Sequence, residues 1–350
     1  MSGSNVVSQP GTYGTRGTPA PNNVPGARQD AVSWVDTSGN LWLFGGFGVD
    51  SAGAVSVQND LWKYSAGEWT WMSGANVVSQ PGTYGTLGTP APSNVPGARY
   101  YSVGWTDASG NFWLFGGIGL DSIGSDGSLN DLWKYSAGEW TWMGGSNVVN
   151  QAGTYGTQGT ATSSNVPGTR AQAFGWSDAA GNFWLFGGTG LDSEGSDGSL
   201  NDLWKYSAGE WTWMGGSNVV NQAGTYGTQG TAASSNVPGA RYYSVGWTDA
   251  SGNLWLWGGI GLDSTGHGGQ LNDLWKYSSG EWTWMGGSNV ANQAGTYGTQ
   301  GTATSSNVPG ARSAGVSWTD ASGNLWLFGG GGYDSTGTAG WLNDLWKYEP

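Results

Sequence analysis

An arginine stands at positions 28, 99, 170, 241 and 312, and an aspartate at 50, 121, 192, 263 and 334. Both series advance in steps of 71 residues. Five inward guanidinium groups (Arg28, Arg99, Arg170, Arg241, Arg312) would make an anion site; the alternative is that each planar fork pairs with a carboxylate or with carbonyls of an adjacent repeat. The aspartates lie in polar segments such as Asp121-Ser-Ile-Gly-Ser-Asp126-Gly-Ser-Leu-Asn130-Asp131, which offer oxygen ligands of the kind calcium takes. The spacing does not match an EF-hand. The second aspartate persists only as Asp197, with Val55, Gly268 and Ala339 in the other copies. Asp50, Asp121, Asp192, Asp263 and Asp334 are therefore expected to cap turns by accepting backbone N–H bonds, and no metal is assigned.

Catalysis makes further demands. Glycoside hydrolysis needs two carboxylates with separate roles. Here the acids recur with the repeat: Asp36, Asp107, Asp178, Asp249 and Asp320 read as one turn position, and Asp60, Asp131, Asp202, Asp273 and Asp344 as another. Residues that break the repeat (Arg16, Asp30, Glu194, Trp257, His267, Tyr333, Trp341) are scattered over different copies. No single set of unique groups converges, so neither an enzyme nor a cofactor is expected.

The elements that position these residues follow from the period. Asn-Asp-Leu-Trp-Lys-Tyr recurs with Trp62, Trp133, Trp204, Trp275 and Trp346. Residues 28–71, 99–142, 170–213, 241–284 and 312–348 carry the regular part of each copy within one domain, residues 1–350. Each part reads as four short strands. In the second copy these are Tyr100–Trp105, an Asp107-Ala-Ser-Gly-Asn111 turn, Phe112–Phe115, Asp131–Tyr135 and the segment around Trp140 and Trp142. Phe112–Phe115 is apolar at every position, which calls for burial on both faces. The double glycine 116–117 is expected to end it. No stretch sustains a helical period. Four antiparallel strands repeated radially make a β-propeller blade, with aromatic residues packed between blades. The strand tryptophans are therefore expected in the core.

The residues also resemble the kelch repeat. An apolar residue precedes a double glycine at Phe44, Phe115, Phe186, Trp257 and Phe328, and a Tyr is followed seven positions later by a Trp at Tyr64/Trp71, Tyr135/Trp142, Tyr206/Trp213 and Tyr277/Trp284. The repeat is 71 residues, against about 50 for kelch. The resemblance implies an all-β, five-bladed kelch-like propeller. It brings galactose oxidase to mind, a copper enzyme on a related propeller, whose chemistry needs two His ligands and a Tyr crosslinked to Cys. This chain has His267 alone and no Cys, so that activity does not carry over.

The extra length lies in one place, the connection exemplified by residues 72–98. Strand parity puts these long connections and the loops between second and third strands on one face, opposite the tight turns. Long connections in compact domains are usually functional or disordered. That face is thus the candidate binding surface, for glycan or protein, with exposed Tyr13, Tyr84, Tyr155, Tyr226 and Tyr297, the five loop aspartates, and Trp341. The alternative is that each connection packs on its neighbour and the chain is a structural, self-assembling repeat, either recently amplified or designed. Copies two and three are identical from Gly124–Ala161 to Gly195–Ala232, which fits either origin. Copy five stops at Tyr348-Glu-Pro, without the Glu-Trp-Thr-Trp of the others. Blade five is expected to have three strands and an unpaired edge at Asn343–Tyr348, a template for self-association. Glu349-Pro350 otherwise marks a boundary inside a longer chain.

Composition sets the outer limits. Charged residues make up 10%, against roughly 25% in an average soluble protein, while 25 Trp exclude a disordered glycine-rich chain. The absence of Cys excludes disulfides and thiol chemistry. A net charge of −13 argues against nucleic acid and anionic membrane as partners. No apolar run approaches the ~18 residues of a membrane span, and with no basic segment followed by an apolar one at the start no signal peptide is expected in this chain. The resemblance to kelch arrays of secreted bacterial proteins implies that the parent protein is extracellular.

Overall fold

The computed structural model describes residues 3–350. The fold class is the one the sequence points to: an all-β propeller fold of five blades, with no helix among the described residues. The chain forms two compact units, Met1–Gly153 with Val166–Gln172, and Thr154–Asn165 with Ala173–Pro350. The first holds blades one and two. The second holds blade three from Phe174 onward, and blades four and five.

Blade two shows how the sequence builds each sheet. Phe112–Leu120 pairs antiparallel with Arg99–Tyr100 and Val103–Thr106 on one side, and with Asp126–Ser136 on the other. Glu139–Gly144 completes the sheet beside Asp126–Ser136. Two features depart from the expected strands. The first strand is broken at Tyr101, whose φ of 58° turns its N–H to the carbonyl of Asp30 in blade one, at 3.2 Å. The same position has a φ of 53–58° in every copy (Asp30, Gln172, Tyr243, Ala314). The second strand does not stop at the double glycine but runs through it as a bulge, the register shifting between Phe115 and Gly117. Gly116 has a φ of 63°, and a Cβ there would lie 2.7 Å from the carbonyl of Arg170. Both the dihedral and the close approach exclude a side chain.

The second strand is buried on both faces, as an apolar run requires: Phe112, Trp113, Leu114 and Phe115 are all in the core. Trp62, Trp133, Trp204 and Trp275 are fully buried. In the first unit Phe44 and Leu61 of blade one pack against Phe112, Leu114, Trp133 and Trp140 of blade two. Trp34 stacks flat on Phe112, with ring centroids 3.5 Å apart. In the second unit Trp176, Phe186 and Leu203 pack against Leu254, Leu256 and Trp275 in the same way.

The long connection is a strap laid along the blade that follows it. Residues 72–98 leave blade one and bind the outer edge of blade two: the Gly88 N–H donates to the Trp142 carbonyl at 2.8 Å, and Ala91 forms a bridge with Trp140. Asn94 Nδ2 donates to the carbonyls of Thr89 (3.0 Å) and Trp140 (3.1 Å). The strap thus covers an edge strand that would otherwise be open to another chain. Blade five has Ala339–Tyr348 as its third strand, with no fourth strand beside it among the described residues.

Candidate functional site

The residues with the most chemical potential gather in one buried cluster per repeat. In copy two, Asp131 sits in the third strand and is fully buried. Its Oδ1 accepts from Arg99 Nη1 at 2.6 Å, and its Oδ2 accepts from Arg99 Nη2 at 2.7 Å, the Tyr84 hydroxyl at 2.6 Å and Trp133 Nε1 at 2.7 Å. The remaining Arg99 donors reach the carbonyls of Gly97 (2.9 Å) and Gly116 (3.1 Å). The strand period puts Asp131 and Trp133 on one side. The strap brings Tyr84 to them, and its ring lies 4.8 Å from Trp133. Tyr13, Asp60 and Arg28 repeat this geometry in copy one, and Tyr226, Asp273 and Arg241 in copy four. In copy five Tyr297 and Arg312 both bond Asp344. In the second unit Tyr155 donates to Asp202 at 2.6 Å. Arg170 is buried, and its Nε donates to the Gly168 carbonyl at 3.1 Å.

This cluster is electrostatically closed. Burial, and then the Asp131 charge, push the Tyr84 phenol far above its ordinary range. Burial opposes the Arg99 charge, but attraction to Asp131 outweighs it and holds the guanidinium above its ordinary value. Such a tyrosine is no base or nucleophile at neutral pH, and the carboxylate has no free face for a substrate.

Two expectations are corrected here. The connection tyrosines are not exposed: Tyr13, Tyr84, Tyr155 and Tyr226 each show 5% of their surface, because the ring seats on a core tryptophan and the hydroxyl on a buried carboxylate. Tyr297 is half-buried against Trp346. Asp60, Asp131, Asp202, Asp273 and Asp344 lie in the third strand of each blade and anchor this cluster. Arg28, Arg99, Arg241 and Arg312 each have their own carboxylate, so these four do not form an open anion site.

The loop aspartates do what backbone capping requires. Asp121 Oδ1 accepts the N–H groups of Ile123 and Ser125 at 2.9 Å, and Oδ2 that of Val149 at 3.3 Å. Asp50 and Asp192 repeat the pattern into the strap that follows. In Asp263 the Thr265 hydroxyl joins the backbone donors and itself meets His267 Nδ1 at 2.6 Å. Burial would raise the Asp263 pKa, but these hydrogen bonds hold it at about 2. Asp334 caps its loop through the N–H groups of Thr336 and Thr338. Among the described residues no three His, Cys, Asp or Glu side chains gather as a metal site. The loop thus meets the outgoing strap, which puts both on one face, as parity requires.

On the tight-turn side Asp107 plays the matching part. It accepts from Ser109 N, Asn111 N and Nδ2, and Trp113 Nε1, all at 2.9–3.1 Å. Lys134 Nζ lies 5.3 Å from the centre of the Trp113 ring, a cation–π contact. Beside these turns lie two clefts that the sequence did not suggest. One, of about 340 Å³ in the second unit, is lined by Asp178, Trp184, Met214, Asn253 and Tyr277. Its counterpart in the first unit, about 170 Å³, is lined by Trp34, Asp36, Trp42, Asn111 and Tyr135. The Tyr135 hydroxyl has no hydrogen-bond partner among the described residues, and burial pushes it up to about 12. Trp341 is 91% exposed and lies over Gly331 of the neighbouring strand.

No family model and no curated protein matches this chain. Solved structures do. The chain is similar to YjhT, with 16% identity and a TM-score of 0.53 over 91% of this chain and 81% of that one. A copper-bound fungal alcohol oxidase of the AA5 family gives 13% identity and a TM-score of 0.42 over 91% of this chain and 63% of that one. An endo-arabinase from Bacteroides thetaiotaomicron gives 9% and 0.42 over 99% and 98%. At these identities the likeness to YjhT is one of fold alone.

Proposed function

We propose that this chain is a non-catalytic scaffold of kelch-type blades, whose recurrent polar residues serve the fold rather than a ligand. The observation that carries this is the Tyr84–Asp131–Arg99–Trp133 cluster. Every group in it that could act as acid, base, nucleophile or anion ligand is buried and bonded within its own copy. A general acid or base must reach a substrate proton directly or through one water, and these have no such path. The kelch reading rests on the double-glycine bulge and on the cross-strand pairing of Trp133 with Trp142 beside Tyr135. The same resemblance supports an extracellular setting.

A glycan array and a thermal-shift screen of sugars and anions on the intact chain test the scaffold reading. No hit and no shift are expected. A hit abolished by Trp341→Ala would replace it with binding through the loops between second and third strands.

One observation favours a second reading, recognition of glycan at the clefts between blades. The Tyr135 hydroxyl is buried with no partner among the described residues, in a cleft walled by Trp34 and Trp42, and a sugar hydroxyl would complete it. A hit that survives Trp341→Ala and is lost in Tyr135→Phe would establish that reading.

A further inference from the structure

The straps of blades one to four each clasp a fourth strand, and they do so with the same donors. The Gly88 N–H meets the Trp142 carbonyl, and the N–H groups of Gly17, Gly159 and Gly230 meet those of Trp71, Trp213 and Trp284, all at 2.8 Å. An asparagine reaches further along. Asn23, Asn94, Asn165 and Asn236 each donate through Nδ2 to the carbonyl of the strand's first tryptophan, at 3.0–3.1 Å. The fourth strand is thus held between two edges, the third strand on one side and the strap on the other.

Blade five has both edges without the strand between them. Both belong to the second unit. The third strand, Ala339–Tyr348, pairs only with Leu325–Tyr333 among the described residues. The strap is held as in the other copies: Tyr297 donates to Asp344 at 2.6 Å, and its ring lies 4.9 Å from Trp346, against 4.8 Å for Tyr226 and Trp275. Its clasping donors lack their acceptors. The Gly301 N–H has no hydrogen-bond partner among the described residues, and Asn307 Nδ2 donates to the Thr302 carbonyl alone. The floor of this slot is aromatic. Trp140 meets Phe44 of the preceding blade edge-on at 5.2 Å, and Trp282 meets Phe186 at 5.5 Å. The counterpart of these phenylalanines in blade four is Trp257.

We propose that the slot takes an extended segment of another polypeptide, with tryptophan at alternate positions and a polar residue between them. The other four copies define the fit. Paired antiparallel to Asn343–Tyr348, such a segment sets one tryptophan opposite Tyr348 and the next opposite Trp346, as Trp140 stands opposite Tyr135 and Trp142 opposite Trp133. The first tryptophan rests on Trp257. The second meets Tyr297, as Trp142 meets Tyr84 edge-on at 5.2 Å. Carbonyls of the segment take the protons of Gly301 and Asn307. Edge pairing of this kind draws affinity from the main chain and specificity from alternate side chains. A second folded copy is not the donor, because Glu68–Ser73, Glu139–Gly144, Glu210–Gly215 and Glu281–Gly286 are each paired in their own blade.

Fluorescence anisotropy of a dye-labelled peptide with the sequence of Ser136–Gly145, titrated with the full chain, tests this. Saturable one-to-one binding is expected, weakened about tenfold or more when both peptide tryptophans are replaced by alanine. A chain in which the same sequence replaces Glu349 and Pro350 fills its own slot and is expected not to bind the peptide. Should that chain fail to fold, Asn307→Ala serves in its place, with severalfold weaker binding expected because one clasping donor is gone. No binding to the parent chain overturns the proposal, as does undiminished binding by either altered chain or by the peptide without tryptophan. Self-association of the chain that the peptide reverses overturns the choice of occupant in favour of a second copy.

Discussion

The Tyr84 hydroxyl donates to Asp131 at 2.6 Å across 47 residues of chain. That bond turns a glycine-rich connection into a structural member, because it ties the middle of the strap to the ion pair at the centre of the next blade. It also accounts for the recurrence of both residues without a ligand.

Removing one partner of that pair leaves a buried charge alone, which costs about 3–5 kcal/mol. Arg99→Ala and Asp131→Ala are each expected to lower the urea midpoint accordingly. Tyr84→Phe deletes one hydrogen bond to a charged group, a loss of about 1.5–3 kcal/mol. Trp133→Ala removes a fully buried ring, at about 3–5 kcal/mol. Equilibrium unfolding of the four variants checks the order.

Acid should destabilise the chain through carboxylates held by hydrogen bonds in a turn and in a strand. Burial would raise the pKa of Asp36 and of Asp344, but hydrogen bonds from Asn40 and Trp42, and from Arg312 and Tyr297, hold each at about 2. Their unfolded value is about 3.9, so the stabilisation is complete above that pH and is lost as the pH falls through about 2. Melting temperatures between pH 6 and 2 should fall most steeply below pH 4, and Asp36→Asn should flatten the slope.

The alkaline side follows from buried phenols. Burial pushes Tyr135, Tyr206 and Tyr277 up to about 12, above an unfolded value of about 10. Their contribution is complete below the unfolded value and is lost as the pH rises through about 12. Phenolate absorbance should therefore show these tyrosines titrating late and together with loss of the near-ultraviolet circular dichroism.

Two glycines of the first unit should respond differently to alanine. Gly116 and Gly124 have φ values of 63° and 84°, in the region that costs a non-glycine residue about 1–2 kcal/mol. Gly116 also faces the Arg170 carbonyl, whereas a Cβ at Gly124 meets nothing within 4 Å. Gly116→Ala is expected to be the more destabilising of the two by thermal melting.

Calcium is expected to change nothing. The Asp121 oxygens are occupied by backbone N–H groups, and its loop has no second carboxylate that recurs in every copy. Melting midpoints in millimolar calcium and in chelator should coincide.

Much of this was legible in the sequence. The Trp62 series sets the period, and the unbroken apolar run at Phe112 marks a strand buried on both faces. The capping role of Asp121 follows from its place among small polar residues. The position of Tyr84 did not, since periodicity shows that a residue recurs but not which way it faces. The role of Asp131 escaped for a related reason. Its partners lie 32 and 47 positions away, beyond the reach of any local pattern. The local signal was its alternation with Trp133 and Tyr135, which puts it on the core side of its strand. The double glycine read as a stop because glycine usually interrupts strands; here it bends one without ending it.

The strap precedes in sequence the blade it clasps, and this ordering has a consequence for synthesis. As each copy leaves the ribosome, Tyr84 emerges before Arg99, and Arg99 before Asp131. Once Glu139–Gly144 follows, the copy has all the parts of its own clasp and need not wait for the next. Domains and repeats fold as units from the N-terminus at the pace of translation. Nearly identical copies in tandem risk exchanging strands with one another. A repeat that latches as it appears offers later copies no vacant place to enter.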